Sequence, residues 1–298
     1  MKQCTSQTEI SAAEDAALGA RIVARRRIPG VASGSALLAI GSRLLVVHDD
    51  AFRVTWVDPV AFTVEAQILQ GDGAALSKPL KPDFEAAVAT ADGTVYLLGS
   101  GSTRTRCTIA RIRGGSVDLS DHPALYDCMS RAIGLAGRPN VEGAAMLADR
   151  LRVFHRGAGG APSAGVDLSP GTLDGGEPTV LGVLRLELGA LDGIALGLTE
   201  VAVCGPGHYA FAAGAEDTPD AIADGPVAGS VIGAWRETQC VRAGWARLRQ
   251  AGGAPSADKV EGLVVDADRR GGWILTDTDD PARASEICRI ELEGFAAG

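Results

Sequence analysis

Four glutamates recur along the chain in similar surroundings. Glu85, Glu142, Glu200 and Glu261 each open a short run of small apolar residues, as in Phe84-Glu85-Ala86-Ala87-Val88 and Val260-Glu261-Gly262-Leu263-Val264. They lie 57, 58 and 61 residues apart, and Ser35 holds the corresponding place 50 residues before Glu85. A second apolar run follows each of these positions. The ends of the second runs are polar and reactive in type: His48-Asp49-Asp50, Ser100-Gly101-Ser102, His155-Arg156-Gly157, Glu216-Asp217 and Asp277-Thr278-Asp279-Asp280. In a hairpin the second strand returns to where the first began. These ends therefore share one face with the glutamates.

Such a face gathers Glu85, Glu142, Glu200 and Glu261 with Asp49 and Asp277. Carboxylates converging on one axis form an oxygen-rich site, which suits a hard cation such as calcium or magnesium. The architectural reading of the same glutamates is that each accepts backbone N–H groups of the adjacent unit and locks the inner strands together. Lys81, Arg104, Arg138 and Lys259 lead into or out of the same face. They suit a small anionic ligand such as a phosphate or carboxylate, or else pair with the glutamates. His48 and His155 occupy equivalent places and have the right chemistry for a general base near neutral pH, or for a hydrogen-bonded structural role. No GxSxG, HExxH or P-loop pattern is present.

The elements that must position these residues are hairpins. Glu261 stands at the mouth of one formed by Val260–Val265 and Trp273–Thr276, separated by the turn residues Asp266–Gly272. Turn chemistry between two short apolar runs is a hairpin signal. Further runs follow in each copy, giving four strands per repeat. Five copies at a period near 58 residues cover almost the whole chain. The pattern predicts an all-β fold, a five-bladed β-propeller of four-stranded blades. Six blades is the alternative if Gly157–Pro178 and Glu216–Gly229 hide another sheet. Both segments are rich in Gly, Pro and Asp and read as loops.

The segment ARIVARRRIP, residues 20–29, precedes the first copy and reads as a strand that closes the last blade, removing an open edge. Residues 1–19 form an N-terminal extension to a single propeller domain spanning 20–298, with Ser11–Gly19 a helical turn or disordered. One helix is predicted between the second and third copies. Asp121 is its cap, Pro123 lies in its first turn, Leu125, Cys128, Met129 and Ile133 share a face, and Gly134 stops it.

Composition bounds the function classes. The 298 residues are 46% hydrophobic and 22% charged with a net charge of −9, an ordinary globular balance. No basic run suggests nucleic acid. No apolar stretch is long enough to span a membrane, and the first residues lack the apolar region of a signal peptide. The cysteines, Cys4, Cys107, Cys128, Cys204, Cys240 and Cys288, show neither CxxC nor zinc spacing and read as small buried hydrophobes. A cytoplasmic location is expected, or a periplasmic one if a leader has been removed.

The segments LKPDFEAAVATADGTVYLLGSGSTRTR, RPNVEGAAML and KVEGLVVDADRRGGWILTDTDDPARASEICRIEL resemble an uncharacterised bacterial family of β-propellers, over about residues 20–293. That family is similar to propellers described as phytase esterase-like and, more distantly, to calcium-dependent lactonases. The resemblance implies a propeller and a bound calcium ion. Two functions are therefore expected. One is a divalent-metal-dependent hydrolase acting on an ester, lactone or phosphoester. The other is a non-catalytic propeller that binds a ligand or a protein.

Overall fold

A computed structural model describes residues 6–157, 162–217, 227–237, 242–278, 280 and 282–296. Cys4, Cys240 and Asp279 lie outside the described residues. The fold is all-β and propeller-like, with antiparallel groups of four strands following one another along the chain. The first group is Gly34–Ile40, Arg43–His48, Arg53–Val57 and Val64–Ile68. The second is Phe84–Ala89, Val95–Gly99, Thr108–Arg113 and Ser116–Asp121. The third is Val141–Met146, Leu151–His155, Ser163–Leu168 and Val180–Glu187.

Two further groups share one ten-stranded sheet. One is Ile194–Gly205, His208–Glu216, Val227–Arg236 and Arg242–Arg249. The other is Lys259–Val265, Gly271–Asp277, Glu286–Glu293 and the early strand Gly19–Arg27. Gly19–Arg27 runs antiparallel to Glu286–Glu293 and continues in parallel pairing onto Leu248 and Arg249. The beginning and the end of the chain thus share a sheet.

The first strand of each group packs against two others. Gly34–Ile40 meets Phe84–Ala89, which meets Val141–Met146, then Ile194–Gly205, then Lys259–Val265, which returns to Gly34–Ile40. Small residues allow this approach: a Cβ on Gly262 would lie 2.6 Å from Leu37 Cβ. A separate apolar core fills each space between successive groups, for example Leu45, Val47, Phe84 and Leu97 between the first two and Leu37, Val46, Leu275 and Ile287 between the last and the first. Strands with a core on both faces lose the polar–apolar alternation of a half-exposed sheet. Leu151–His155 and Val95–Gly99 are accordingly buried at every position.

The structure departs from the sequence expectation in three places. Residues 6–11 form a strand, parallel to Val180–Glu187 on the outer edge of the third group, and Ala13–Glu14 pairs with Gly244 and Trp245. Ser11–Gly19 is therefore neither a helical turn nor disordered; alternation buries Ile10 and Ala12 and exposes Glu9 and Ser11, the period of a strand. Ser163–Leu168, read as loop, is a strand whose small residues serve packing, since a Cβ on Gly165 would lie 3.0 Å from the Phe154 ring. The helix spans Pro123–Ile133 and ends at Gly134, left-handed at φ 76°, but its cap position is His122. Asp121 ends a strand and its Oδ1 accepts from Thr108 Oγ1 at 2.8 Å. Among the described residues no helix is long and apolar enough to cross a membrane.

Candidate functional site

Each inner strand carries a β-bulge, near its start at Ser35, Glu85, Glu142 and Glu261 and midway along Ile194–Gly205 at Thr199. A bulge leaves one residue without a partner on the neighbouring strand and re-aims its side chain. The register shows that the fourth copy places Thr199, not Glu200, at the position equivalent to the other three glutamates. Glu200 falls one residue on, and a slip of one residue along a strand turns a side chain to the opposite face. Its carboxylate is buried and accepts the Val201 N–H at 2.8 Å; burial raises its pKa, and the Val201 and Leu37 backbones oppose the rise. Glu200 thus faces the packed inner strands and does not line the cavity at the mouth.

That cavity has a volume of about 450 Å3. Of the residues singled out from the sequence, Glu85, Glu142, Glu261, Asp49, Asp277, Lys81 and Lys259 line it. His48, His155, Arg104 and Arg138 do not. His48 is fully buried, with Nε2 2.8 Å from Thr55 Oγ1 and Nδ1 accepting from Arg53. Burial and the Arg53 charge push it down to about 3, so its ring is neutral at physiological pH. His155 Nδ1 accepts the Asn140 N–H at 2.9 Å, and burial lowers its pKa as well. Arg138 donates to Gly101 O at 2.7 Å and pairs with Asp127 at 3.1 Å. Arg104 is exposed at the start of a 3-10 turn, whose last residue, Arg106, points inward instead.

Sequence reasoning missed Asp83 and Asn140, which also line the cavity. Each stands two residues before a bulge glutamate, in Pro-Asp-Phe-Glu and Pro-Asn-Val-Glu. Period-two alternation carries such a pair to the same face, so this repeated Pro-x-x-Glu pattern was the available signal. Asp83 adopts a left-handed backbone, φ 55°. Non-glycine residues seldom do so, though Asp tolerates it better than most. Two backbone hydrogen bonds hold it there, Asp83 N–H to Asp49 O at 2.9 Å and Ser100 N–H to Asp83 O at 2.7 Å.

The lining divides into two halves. In the first, oxygens of Asp49, Asp83 and Glu85 lie within 4.8 Å of one another. Lys81 Nζ bonds Asp49 and lies 2.8 Å from Asp83 Oδ1, while Arg106 Nη1 lies 2.9 Å from Asp83 Oδ2. Burial raises Asp49 to about 6; Lys81 opposes the shift and Asp83 and Asp50 add to it. Glu85 is raised as well, by burial and then by Asp83 and Glu142. In the second half, acids alternate with bases. Arg156 pairs with Glu216 at 2.5 Å and approaches Glu142 at 3.6 Å, and Lys259 lies 3.2 Å from Glu261 and 4.0 Å from Glu216. Asn140 Nδ2 donates to Glu142 Oε1 at 2.6 Å. Burial lifts Glu142 to about 8 although Arg156 opposes it. Chemically, the first half offers clustered anionic oxygens and the second a carboxyl that keeps its proton near neutral pH.

No curated protein matches the chain. Solved structures resemble it at low identity. A glutaminyl cyclase of Myxococcus xanthus is 10% identical, with 97% of this chain and 98% of that one covered and a TM-score of 0.50. The PQQ-bound aldose sugar dehydrogenase of Streptomyces coelicolor is 13% identical, with 94% and 100% covered and a TM-score of 0.48. At 10% identity the likeness to the cyclase is one of fold alone, and function resides in the site rather than the fold. A family model matches residues 30–292, most of the chain, and the protein belongs to that family, the Family of unknown function (DUF6929).

Proposed function

We propose that the cavity holds a divalent cation, calcium or magnesium, on Asp49, Asp83 and Glu85, and that the protein is a hydrolase acting on an ester, lactone or phosphoester with a small anionic part. One observation carries this reading: carboxylates from two strand groups bring their oxygens within 4.8 Å of one another. The donor set fits, because hard cations take oxygen ligands. Asp49 Oδ1 and Asp50 Oδ1 are also buried on this wall with no hydrogen-bond partner among the described residues. Buried acceptors without a donor are costly, and a cation on Asp49 would satisfy its Oδ1.

When bound, such an ion acts as a Lewis acid on a carbonyl or phosphoryl oxygen. The chain's own residues do the rest. Arg156 and Lys259, with their glutamates, form the opposite wall that orients the anionic part. Glu142 holds a proton near neutral pH, and Asn140 fixes its Oε1. Calorimetric titration of calcium into chelator-stripped protein tests the reading. Saturable one-site binding that Asp83→Asn weakens at least tenfold is the expected result, followed by a screen of esters, lactones and phosphoesters. Absence of saturable binding by any divalent ion would sink it.

A non-catalytic propeller that binds a ligand or protein is the second reading. The alternating network of Glu142, Arg156, Glu216, Lys259 and Glu261 favours it, because paired charges can serve rigidity alone. Ligand binding without turnover separates the two.

For the fold, the reading is a five-bladed propeller of four-stranded blades. Gly19–Arg27 closes the last blade, and residues 1–19 extend a single domain spanning 20–298. The cyclic packing of the inner strands and the pairing of Gly19–Arg27 with Glu286–Glu293 support it.

A further inference from the structure

We infer that Lys81 is the built-in cation of the acidic wall, a tethered ammonium that a divalent ion must displace in order to bind. The inference rests on the divalent-cation reading above and names what controls that site. Lys81 Nζ bonds Asp49 and lies 2.8 Å from Asp83 Oδ1, so it touches two of the three carboxylates proposed to hold the ion. Calcium sits about 2.3–2.6 Å from each ligand oxygen. Within a cluster 4.8 Å across, an ion at that distance and an ammonium group on the same oxygens compete for one space.

The two bases on Asp83 differ in how they are held. Arg106 is anchored on three sides: Asp83 at 2.9 Å, Ser102 Oγ at 3.0 Å and Lys78 O at 3.1 Å. Lys81 has only carboxylates for its ammonium among the contacts of the described residues. It projects from the connector between the first and second strand groups on a flexible four-carbon stem. Next to it in that connector, Leu80 is 68% exposed, so solvent is close. Arg106 is therefore the fixed countercharge and Lys81 the exchangeable one.

Charge count agrees. When ionised, the three proposed ligands Asp49, Asp83 and Glu85 carry three negative charges against two positive ones on Lys81 and Arg106, leaving this cluster net negative, and Asp50 on the same wall adds to the negative field. A divalent ion in place of the Lys81 ammonium, with Arg106 unmoved, balances the three ligands. With the ammonium in place, the site resists filling by chance. With it withdrawn, a positive side chain is released beside the cavity, ready for an anionic ligand.

The test is a calorimetric titration of calcium into chelator-stripped wild-type protein, Lys81→Met and Lys81→Arg, each checked for folding by thermal melting. Lys81→Met is expected to bind at least tenfold tighter than wild type, and Lys81→Arg no tighter. Equal or weaker binding by folded Lys81→Met, with wild type binding, overturns the inference and leaves the cation site standing. Failure of both wild type and Lys81→Met to bind removes the cation site and the inference with it. A second measurement needs no variant. Acetylation of wild-type Lys81, followed by mass spectrometry, is expected to rise severalfold at saturating calcium. Unchanged labelling under saturation overturns the displacement.

Discussion

Thr199 holds in the fourth inner strand the bulge position that Glu142 holds in the third. The ring of near-equivalent positions is consequently three carboxylates and two hydroxyls, those of Ser35 and Thr199. Its asymmetry comes from register, which turns Glu200 away from the cavity and into the packed inner strands.

Glu200 should therefore matter to stability and not to cation binding. Glu200→Ala removes the acceptor of the Val201 N–H. Stranding a buried donor costs about 1–3 kcal/mol, so a loss of that size is expected in urea unfolding. Glu200→Gln keeps an acceptor oxygen and should lose less than half as much. Calcium affinity should be unaltered in Glu200→Gln. A tenfold drop would place this residue at the ion after all.

Glu142 should make the protein less stable as pH rises. Its folded pKa, about 8, lies above its ordinary value of 4.5. Between those values the folded state retains a proton that the unfolded state has lost, so the stability it contributes is full below pH 4.5 and declines as pH climbs toward 8. The slope approaches about 1.4 kcal/mol per pH unit at most. Asp49, also raised, adds the same sign at lower pH, up to about 6. Denaturant melts from pH 5 to 8 should show the decline, and Glu142→Gln should flatten its upper part. Parallel profiles for the two proteins would refute this.

Asp83 combines a left-handed backbone with two ion pairs. Asp83→Asn keeps a residue that tolerates this conformation and should lose at least tenfold in calcium affinity while remaining folded. Asp83→Ala carries the added strain of a left-handed backbone, of order 1 kcal/mol, and should melt below Asp83→Asn. Equal melting temperatures would argue that the local backbone relaxes.

Removing residues 1–29 deletes Gly19–Arg27 and leaves Glu286–Glu293 as an open edge. A fall in melting temperature of roughly 10 °C or more is expected, a few kcal/mol at this chain length, with increased self-association because an open edge invites pairing. Removing only residues 1–12 takes away the strand on the third group and should cost clearly less. A 1–29 deletion that melts like the full chain would contradict closure by this strand.

The sequence by itself determined the repeat, the hairpins and the gathering of acids at one face. These follow from local rules: turn residues, short apolar runs and the return of a second strand to the start of the first. Of the residues those rules single out, Glu85, Glu142, Glu261, Asp49, Asp277, Lys81 and Lys259 line one cavity. Matching by spacing alone failed at Glu200, because a bulge shifts register by one residue without changing the apolar pattern around it. Tertiary structure alone decided which polar groups face each other across separate strand groups. Asp83 meets Arg106 through a turn 23 residues away, and Arg156 meets Glu216 at a separation of 60 residues. It also drew His48 and His155 into the sheets, where burial lowers the pKa of both. Pairings of this kind depend on how the groups pack together in space. No local pattern of residues encodes that.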